Sequence, residues 1–157
     1  PGFFYGLNLG ANYKGFDIAI FFQGVGDVKK YNYLRATGES MSSIGNQWAT
    51  TLDRWSTSNP SATMPRAVYN NPSLPTRFSD RFVENAGYLR LKNLQIGYAI
   101  PQTLLGKTGF IKNFRIYGSA VNLFTITDWT GYDPETDASD AVVPTTRQFL
   151  IGINAGF

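Results

Sequence analysis

The sequence predicts an all-β protein built from antiparallel strands. Its clearest signal is an alternation with a period of two residues, in which every second residue is apolar, as expected when alternate side chains lie on opposite faces of a strand. In the last strand the apolar positions are Phe149, Ile151, Ile153, Ala155 and Phe157. The composition agrees, because 16 Gly, 12 Phe, 9 Tyr and 3 Trp favour strands and turns over helices.

Five strands are predicted. The first covers residues 2–13 and the second covers 15–25, and the tight turn at Lys14-Gly15 makes them a hairpin. The other three are expected at 88–100, 113–126 and 147–157.

Two of these strands do not keep one phase of alternation. In the third strand, Leu89 and Leu91 are in one phase while Leu94 and Ile96 are in the other, so we expect a β-bulge near Lys92-Asn93. In the fourth strand the phase is unclear beyond Ala120.

Two long connections, residues 26–87 and 127–146, lack the alternation and are predicted to be loops. The first is far longer than ordinary loops, which indicates a functional role. Within it, residues 44–55 could form a short helix that places Trp48, Leu52 and Trp55 on one side, over a small hydrophobic core.

Composition excludes several functions. The chain has no Cys and no His, so it forms no disulfide, and zinc enzymes and His-based triads are excluded. The net charge of +3 is small and the basic residues are scattered, which argues against a nucleic-acid partner. No apolar run approaches the roughly 20 residues of a membrane-spanning helix, so only strands could cross a membrane.

Alternation alone does not separate a soluble β-sandwich from a membrane barrel, since both have one apolar face. The connections, however, alternate between short and long, as periplasmic turns and extracellular loops do in outer-membrane barrels. Phe157 would then lie on the periplasmic side. Five strands cannot close such a barrel, and the chain begins as a strand at Pro1 without an initiator Met, so we expect it to be part of a longer protein.

Several segments in order resemble one family. Residues 85–101 read NAGYLRLKNLQIGYAIP, residues 115–125 read RIYGSAVNLFT, and residues 131–135 read GYDPE. Upstream lie Asp53-Arg54-Trp55, Asn59-Pro60 and Pro65-Arg66. Together they resemble the SusC/RagA-type TonB-dependent outer-membrane transporters, over essentially the whole chain.

The resemblance implies that these are the C-terminal strands of a barrel of about 22 strands, in which an N-terminal plug absent from this chain fills the lumen. It also implies a SusD-like surface lipoprotein as partner, import of glycans or oligopeptides, energy from TonB through the absent plug region, and a dimer of transporter–lipoprotein pairs. The protein would lie in the bacterial outer membrane, in contact with its lipid.

Candidate site residues are few. Tyr69 and Trp129 could stack on a ligand, whereas Trp48 and Trp55 are interpreted as loop packing. Asp133, Glu135 and Asp137 form a weak candidate calcium site, since oxygen ligands at alternate positions suit Ca²⁺, but a solvated acidic loop is the preferred interpretation.

Phe157 resembles the C-terminal aromatic signal that the barrel-assembly machinery reads, and deleting it should reduce assembly. Arg66, Arg77, Arg81 and Arg90 are not interpreted as a site.

Two other functions stay open at this point. A soluble carbohydrate-binding β-sandwich would explain the aromatic residues and the loops. An enzyme such as a glycosidase would need two carboxylates facing each other across a cleft, and no convincing pair is visible in the sequence. We therefore expect no catalytic residues and no cofactor beyond that calcium ion.

Overall fold

The computed structural model describes residues 1–42, 44–71, 78–106, 110–136, 143 and 145–157. The chain divides into two compact units. The sheet unit contains Pro1–Val28, Ala86–Asp128 and Pro144–Phe157, and the loop unit contains Lys29–Asn85 and Trp129–Val143. Each unit therefore contains segments that are far apart in the chain.

The described residues form seven strands, two short α-helices and two 3-10 helices. The strands are β1 (Phe3–Tyr13), β2 (Phe16–Gly26), β3 (Lys29–Tyr31), β4 (Val83–Asn85), β5 (Tyr88–Ala99), β6 (Asn113–Thr127) and β7 (Gln148–Gly156). The α-helices are α1 (Tyr33–Gly38) and α2 (Gln102–Leu105), and the 3-10 helices are Ala49–Asp53 and Asp80–Phe82. No helix in the described ranges is long and apolar enough to span a membrane.

The sheet unit is one antiparallel sheet in the order β1-β2-β5-β6-β7. Its strands begin and end within two residues of the five predicted ranges. Lys14 and Gly15, with φ of 48° and 89°, form the two-residue turn between β1 and β2, as type I′ hairpin turns require. A Cβ on Gly15 would lie 2.7 Å from the carbonyl oxygen of Ala99, so this position needs glycine for space as well.

One face of the sheet, here called the apolar face, carries the apolar positions of all five strands. A row across it pairs Leu9, Ile20, Leu94, Ala120 and Phe149 in register. In this row Leu9 and Phe149 are 48% and 72% exposed, whereas the small Ala120 is 8% exposed. The apolar alternation in the sequence therefore describes an outer surface of the unit and not its interior.

The opposite face, here called the polar face, carries small and polar residues. A corresponding row pairs Asn12, Asp17, Gly97, Tyr117 and Gly152. Such a face suits a wet environment, as the interior of a barrel provides.

The predicted bulge is confirmed, and it is shared by two strands. Lys92 interrupts the register of β5 with β2 and β6, and on β6 the pairing moves from Val121 directly to Phe124. Asn122 lies in this gap with a φ of 53°. The same irregularity explains why the phase of the fourth predicted strand is unclear beyond Ala120.

Aromatic residues gather on the apolar face near the β1–β2 turn. Tyr13, Phe16 and Tyr98 are in register, and the ring centroids of Phe16 and Tyr98 are 4.5 Å apart. Phe157 follows Gly156, which pairs with Asn113 at this same end of the sheet. Phe157 therefore lies at the same end of the sheet as the short β1–β2 turn, and its predicted position on the periplasmic side stays a prediction.

The loop unit contains more regular structure than the predicted loop 26–87 suggests. The strands β3 and β4 pair antiparallel, and α1 follows β3 directly. Asn32 is the N-cap of α1, since its side-chain oxygen accepts a hydrogen bond from the backbone N–H of Arg35 at 3.0 Å.

The predicted helix over residues 44–55 is wrong, since only the 3-10 helix Ala49–Asp53 forms there. Trp48 is extended, with φ of −70° and ψ of 153°, and its N–H donates to the carbonyl of Gly38 at 2.8 Å instead of to a preceding helical turn. Leu52 is 79% exposed, so it does not form a core with Trp48 and Trp55. A long-range backbone hydrogen bond thus outweighs a weak helical pattern.

Candidate ligand-binding cleft

The loop unit contains a cleft with a volume of about 310 Å³. It lies between α1, Trp48 and the segment that follows β6. Its lining residues are Leu34, Trp48, Thr130, Gly131 and Tyr132.

Trp48 is held in place from one side. The indole ring of Trp48 lies so close to Gly38 that a Cβ at position 38 would overlap the ring. The backbone N–H of Trp48 donates a hydrogen bond to the Gly38 carbonyl. Beside it, the side-chain oxygen of Gln47 accepts a hydrogen bond from the N–H of Met41 at 2.7 Å. Trp48 nevertheless remains 37% exposed, so part of a fixed aromatic ring faces the cleft.

Glu84 connects the two walls of the cleft. On one side its carboxylate accepts hydrogen bonds from Arg35 Nη1 at 2.8 Å and from Asn32 Nδ2 at 3.3 Å. On the other side it accepts from the Thr130 hydroxyl at 2.7 Å and from the Thr130 N–H at 3.2 Å. Since Asn32 and Arg35 belong to the start of α1, this one carboxylate fixes α1 relative to Thr130.

The electrostatics of Glu84 follow from these donors. Partial burial would raise the pKa of the Glu84 carboxyl, but the hydrogen bonds from Arg35, Thr130 and Asn32 outweigh it and hold the pKa below its usual value. The pKa of Arg35 is raised, chiefly by its hydrogen bond to Glu84. Arg35 also donates to Glu39 at 3.2 Å, and Thr50 donates to the other oxygen of Glu39 at 2.9 Å.

A second contact fixes the segment that follows Tyr132. The ammonium group of Lys30 donates to the carbonyl oxygens of Pro134 at 2.6 Å and Thr136 at 3.2 Å. Asp133 is buried, and its carboxylate accepts the N–H of Glu135 at 2.8 Å. The cleft wall at residues 130–132 is therefore held at both ends.

The predicted ligand-stacking residues do not line this cleft. Tyr69 is 75% exposed, whereas Trp129 is 8% exposed, with its indole over Gly131. Trp129 therefore lies behind the cleft wall, and its predicted stacking role stays a prediction. Asp133 uses one carboxylate oxygen for the N–H of Glu135, and Asp137 lies outside the described residues. Within the described ranges no group of three carboxylates is placed to hold a metal ion, and the calcium site also stays a prediction.

Sequence reasoning missed two contributions to the cleft. Tyr132 is 69% exposed and lines it, and a clue was its place in the GYDPE segment at residues 131–135. Trp48 was interpreted as a packing residue because of a helix that does not form.

The sheet unit also contains an ion pair that the sequence did not indicate. Arg115 Nε lies 2.8 Å from Asp17 Oδ2 on the polar face, across Gly97. Gly97 makes room for the pair, since a Cβ there would overlap both side chains. Asp17 on β2 and Arg115 on β6 are thus connected over the intervening strand β5.

Comparisons with known proteins find relatives among the TonB-dependent receptors. No protein-family model matches the chain. It is 34% identical to the TonB-dependent receptor P3 of Formosa agariphila over an alignment of 173 residues, which covers 100% of this chain and 16% of that protein. It is 35% identical to the TonB-dependent receptor SusC of Bacteroides thetaiotaomicron over 83 residues, which covers 50% of this chain and 8% of SusC.

Solved structures give the same result. The RagAB peptide importer in its closed-closed state superposes with a TM-score of 0.88 at 29% identity, covering 98% of this chain and 17% of that one. The RagAB peptide transporter gives a TM-score of 0.83 at 30% identity. The chain thus spans less than a fifth of these relatives, which are receptors and transporters and not enzymes.

Proposed function

Because the chain belongs to the SusC/RagA family of TonB-dependent outer-membrane transporters, as a segment of the barrel, we propose that the full-length protein imports glycans or oligopeptides across the outer membrane. A SusD-like surface lipoprotein is its proposed partner, and TonB is its proposed energy source, through a plug region that lies outside these residues. The transporter–lipoprotein pairs are proposed to dimerise.

The apolar face is the observation that supports this proposal most. Phe149, Ile151 and Ile153 are 72%, 88% and 63% exposed. A sheet face with such exposed apolar side chains would be an aggregation hazard in water, but it is the expected outer surface of a strand wall in lipid. A soluble carbohydrate-binding β-sandwich would instead bury this face under a second sheet.

The direction of the strands agrees with the proposed placement. The two-residue turn between β1 and β2 lies at one end of the sheet, and the long β2–β5 and β6–β7 connections both leave from the other end. We place the short turn on the periplasmic side and the long connections on the extracellular side. The row of Tyr13, Phe16 and Tyr98 then forms part of the periplasmic aromatic girdle.

Phe157 is proposed to be the signal for the barrel-assembly machinery. It is 78% exposed and directly follows the last residue of β7, at the proposed periplasmic side. Removing Phe157 from the full-length protein should lower the amount of folded barrel, measured as heat-modifiable protein in outer membranes. Replacing Phe157 by Tyr should restore assembly, and normal surface levels after deletion would contradict this role.

The test of the proposed function uses the intact protein. It is purified in detergent from outer membranes, the proteins that accompany it are identified by mass spectrometry, and uptake of labelled glycans and peptides is compared in cells with and without its gene. We expect a SusD-like lipoprotein in the complex and uptake that depends on TonB. Recovery from the water-soluble fraction, with no lipoprotein, would favour the β-sandwich.

A further inference from the structure

We infer that the cleft of the loop unit binds one sugar ring of a neutral glycan, with Trp48 and Tyr132 as the aromatic surfaces. This inference deepens the proposed function, on which it rests, by naming the substrate class and one place of contact.

Shape and rigidity are the first argument. The cleft of about 310 Å³ is at the lower end of the size range of small-molecule sites. Its two walls are held together by the four donors of Glu84, and the end of one wall is held by Lys30. A ligand therefore meets walls that are already ordered, which lowers the entropic cost of binding.

Charge is the second argument, and it decides between ligand classes. All five of the described residues that line the cleft are uncharged. The charged groups nearby already have partners, since Glu84 pairs with Arg35, Arg35 pairs with Glu39, and Lys30 binds two carbonyl oxygens. A neutral ligand is thus favoured over an oligopeptide, whose charged termini and side chains would find no counter-charge among the described residues of these walls.

The chemistry of the lining is the third argument. Trp48 and Tyr132 are 37% and 69% exposed, so both rings offer part of their surface to a ligand, and the Tyr132 phenol adds a polar group. The Thr130 hydroxyl donates to Glu84 and accepts from Asn32 Nδ2 at 3.0 Å, so one of its two lone pairs remains to accept from a ligand. Flat apolar surfaces beside hydroxyl groups match the apolar faces and hydroxyl rim of a pyranose ring.

The test measures binding by isothermal titration calorimetry on the intact detergent-purified transporter complex. The probes are maltohexaose, xylohexaose, mannohexaose and a set of neutral hexapeptides. We expect at least one hexasaccharide to bind, and Trp48→Ala to raise its Kd about tenfold or more, as truncation of an aromatic anchor does.

Matched controls come from the same unit. Trp55 is 40% exposed and Tyr69 is 75% exposed, and neither lines the cleft. Trp55→Ala should change the Kd by less than about twofold, and Tyr69→Ala is the control for Tyr132→Ala. Trp48→Phe keeps an aromatic ring and should restore part of the affinity. Heat-modifiability on gels verifies folding, and if Trp48→Ala does not fold, Tyr132→Ala decides the result.

Each outcome has one meaning. Hexasaccharide binding that the cleft variants weaken and the controls do not supports the inference. Binding of peptides alone overturns the sugar assignment, as does the absence of any hexasaccharide binding. Hexasaccharide binding that Trp48→Ala and Tyr132→Ala leave unchanged overturns the cleft as the site. Failure of the transporter proposal would appear separately, as a soluble protein without a lipoprotein.

Discussion

The sheet unit and the loop unit are held together in different ways. In the sheet unit, backbone groups pair between five neighbouring strands, and the side chains alternate between two faces. In the loop unit, regular structure is short, and side chains such as Glu84, Lys30 and Gln47 accept from or donate to the backbone. Among the described residues, the buried polar or charged side chains of the loop unit are those of Asn32, Glu39, Thr51 and Asp133, whereas the sheet unit has one, Arg90, whose Nε donates to Thr125 at 2.8 Å.

This difference follows from where backbone hydrogen bonds are made. A strand inside a sheet satisfies its N–H and C=O groups through its neighbours, so its side chains are free to suit lipid or water. A loop lacks such neighbouring strands, so its side chains must supply hydrogen bonds to its backbone N–H and C=O groups. The same type of substitution should therefore have different effects in the two units.

The largest expected difference comes from a charge on an exposed isoleucine. Ile151 in the sheet unit and Ile44 in the loop unit are 88% and 92% exposed. Ile151→Arg places a charge in the proposed lipid belt, at a cost of about 2–4 kcal/mol near the bilayer centre, whereas Ile44→Arg remains in water. Heat-modifiable protein in outer membranes should fall for the first variant only. Equal yields would contradict a lipid-facing apolar face.

The next effect concerns Glu84. Glu84→Gln removes the charge that pairs with Arg35 and should weaken the loop unit locally by about 1–3 kcal/mol, because buried donors lose part of their acceptor. Hydrogen exchange should accelerate in residues 32–39 and 129–136 and remain unchanged in β2 and β5. Asp53→Asn is the control, since Asp53 accepts one exposed bond from Asn59 at 2.9 Å. Unchanged exchange in both segments would show that Glu84 does not hold the walls together.

The loop unit should also respond to acid. A carboxyl whose pKa is lower in the folded state stabilises that state fully above its ordinary value of 4.5, and this stabilisation is lost as the pH falls through the folded value. The raised pKa of Arg35 has no effect here, because its contribution is complete at every pH below the ordinary pKa of an arginine side chain.

Hydrogen exchange, corrected for its intrinsic pH dependence, measures this response. Protection of residues 129–136 should fall below about pH 4.5 in the wild type and change less in Glu84→Gln. A parallel loss of protection in both proteins would assign the acid response to other groups.

The smallest effect is expected for the ion pair on the polar face. Asp17 and Arg115 are 28% and 27% exposed at their side chains, whereas Glu84 is 11% exposed. Water screens and replaces such an open pair, so Asp17→Asn should destabilise the protein less than Glu84→Gln does. Thermal unfolding of the purified protein, followed by the loss of heat-modifiability, compares the two. A larger effect for Asp17→Asn would show that the polar face is drier in the intact protein.

Much of the sheet could be predicted from the sequence. Strand positions, the Lys14-Gly15 hairpin and the bulge near Lys92 follow from a period of two residues and its interruption, which are local properties. The cleft could not be predicted in this way. Trp48 reaches it through a backbone bond to Gly38, and Thr130 reaches it through Glu84, which is 46 residues away in the chain.

The sequence by itself determined the all-β class, the strands and their two faces, because successive residues of a strand alternate between its two faces. The resemblance of its motifs determined the family. Only the tertiary structure decided which aromatic residues are open to a ligand. It buried Trp129, exposed part of Trp48 and placed Tyr132 beside it, because burial in a loop unit depends on contacts between segments far apart in the chain.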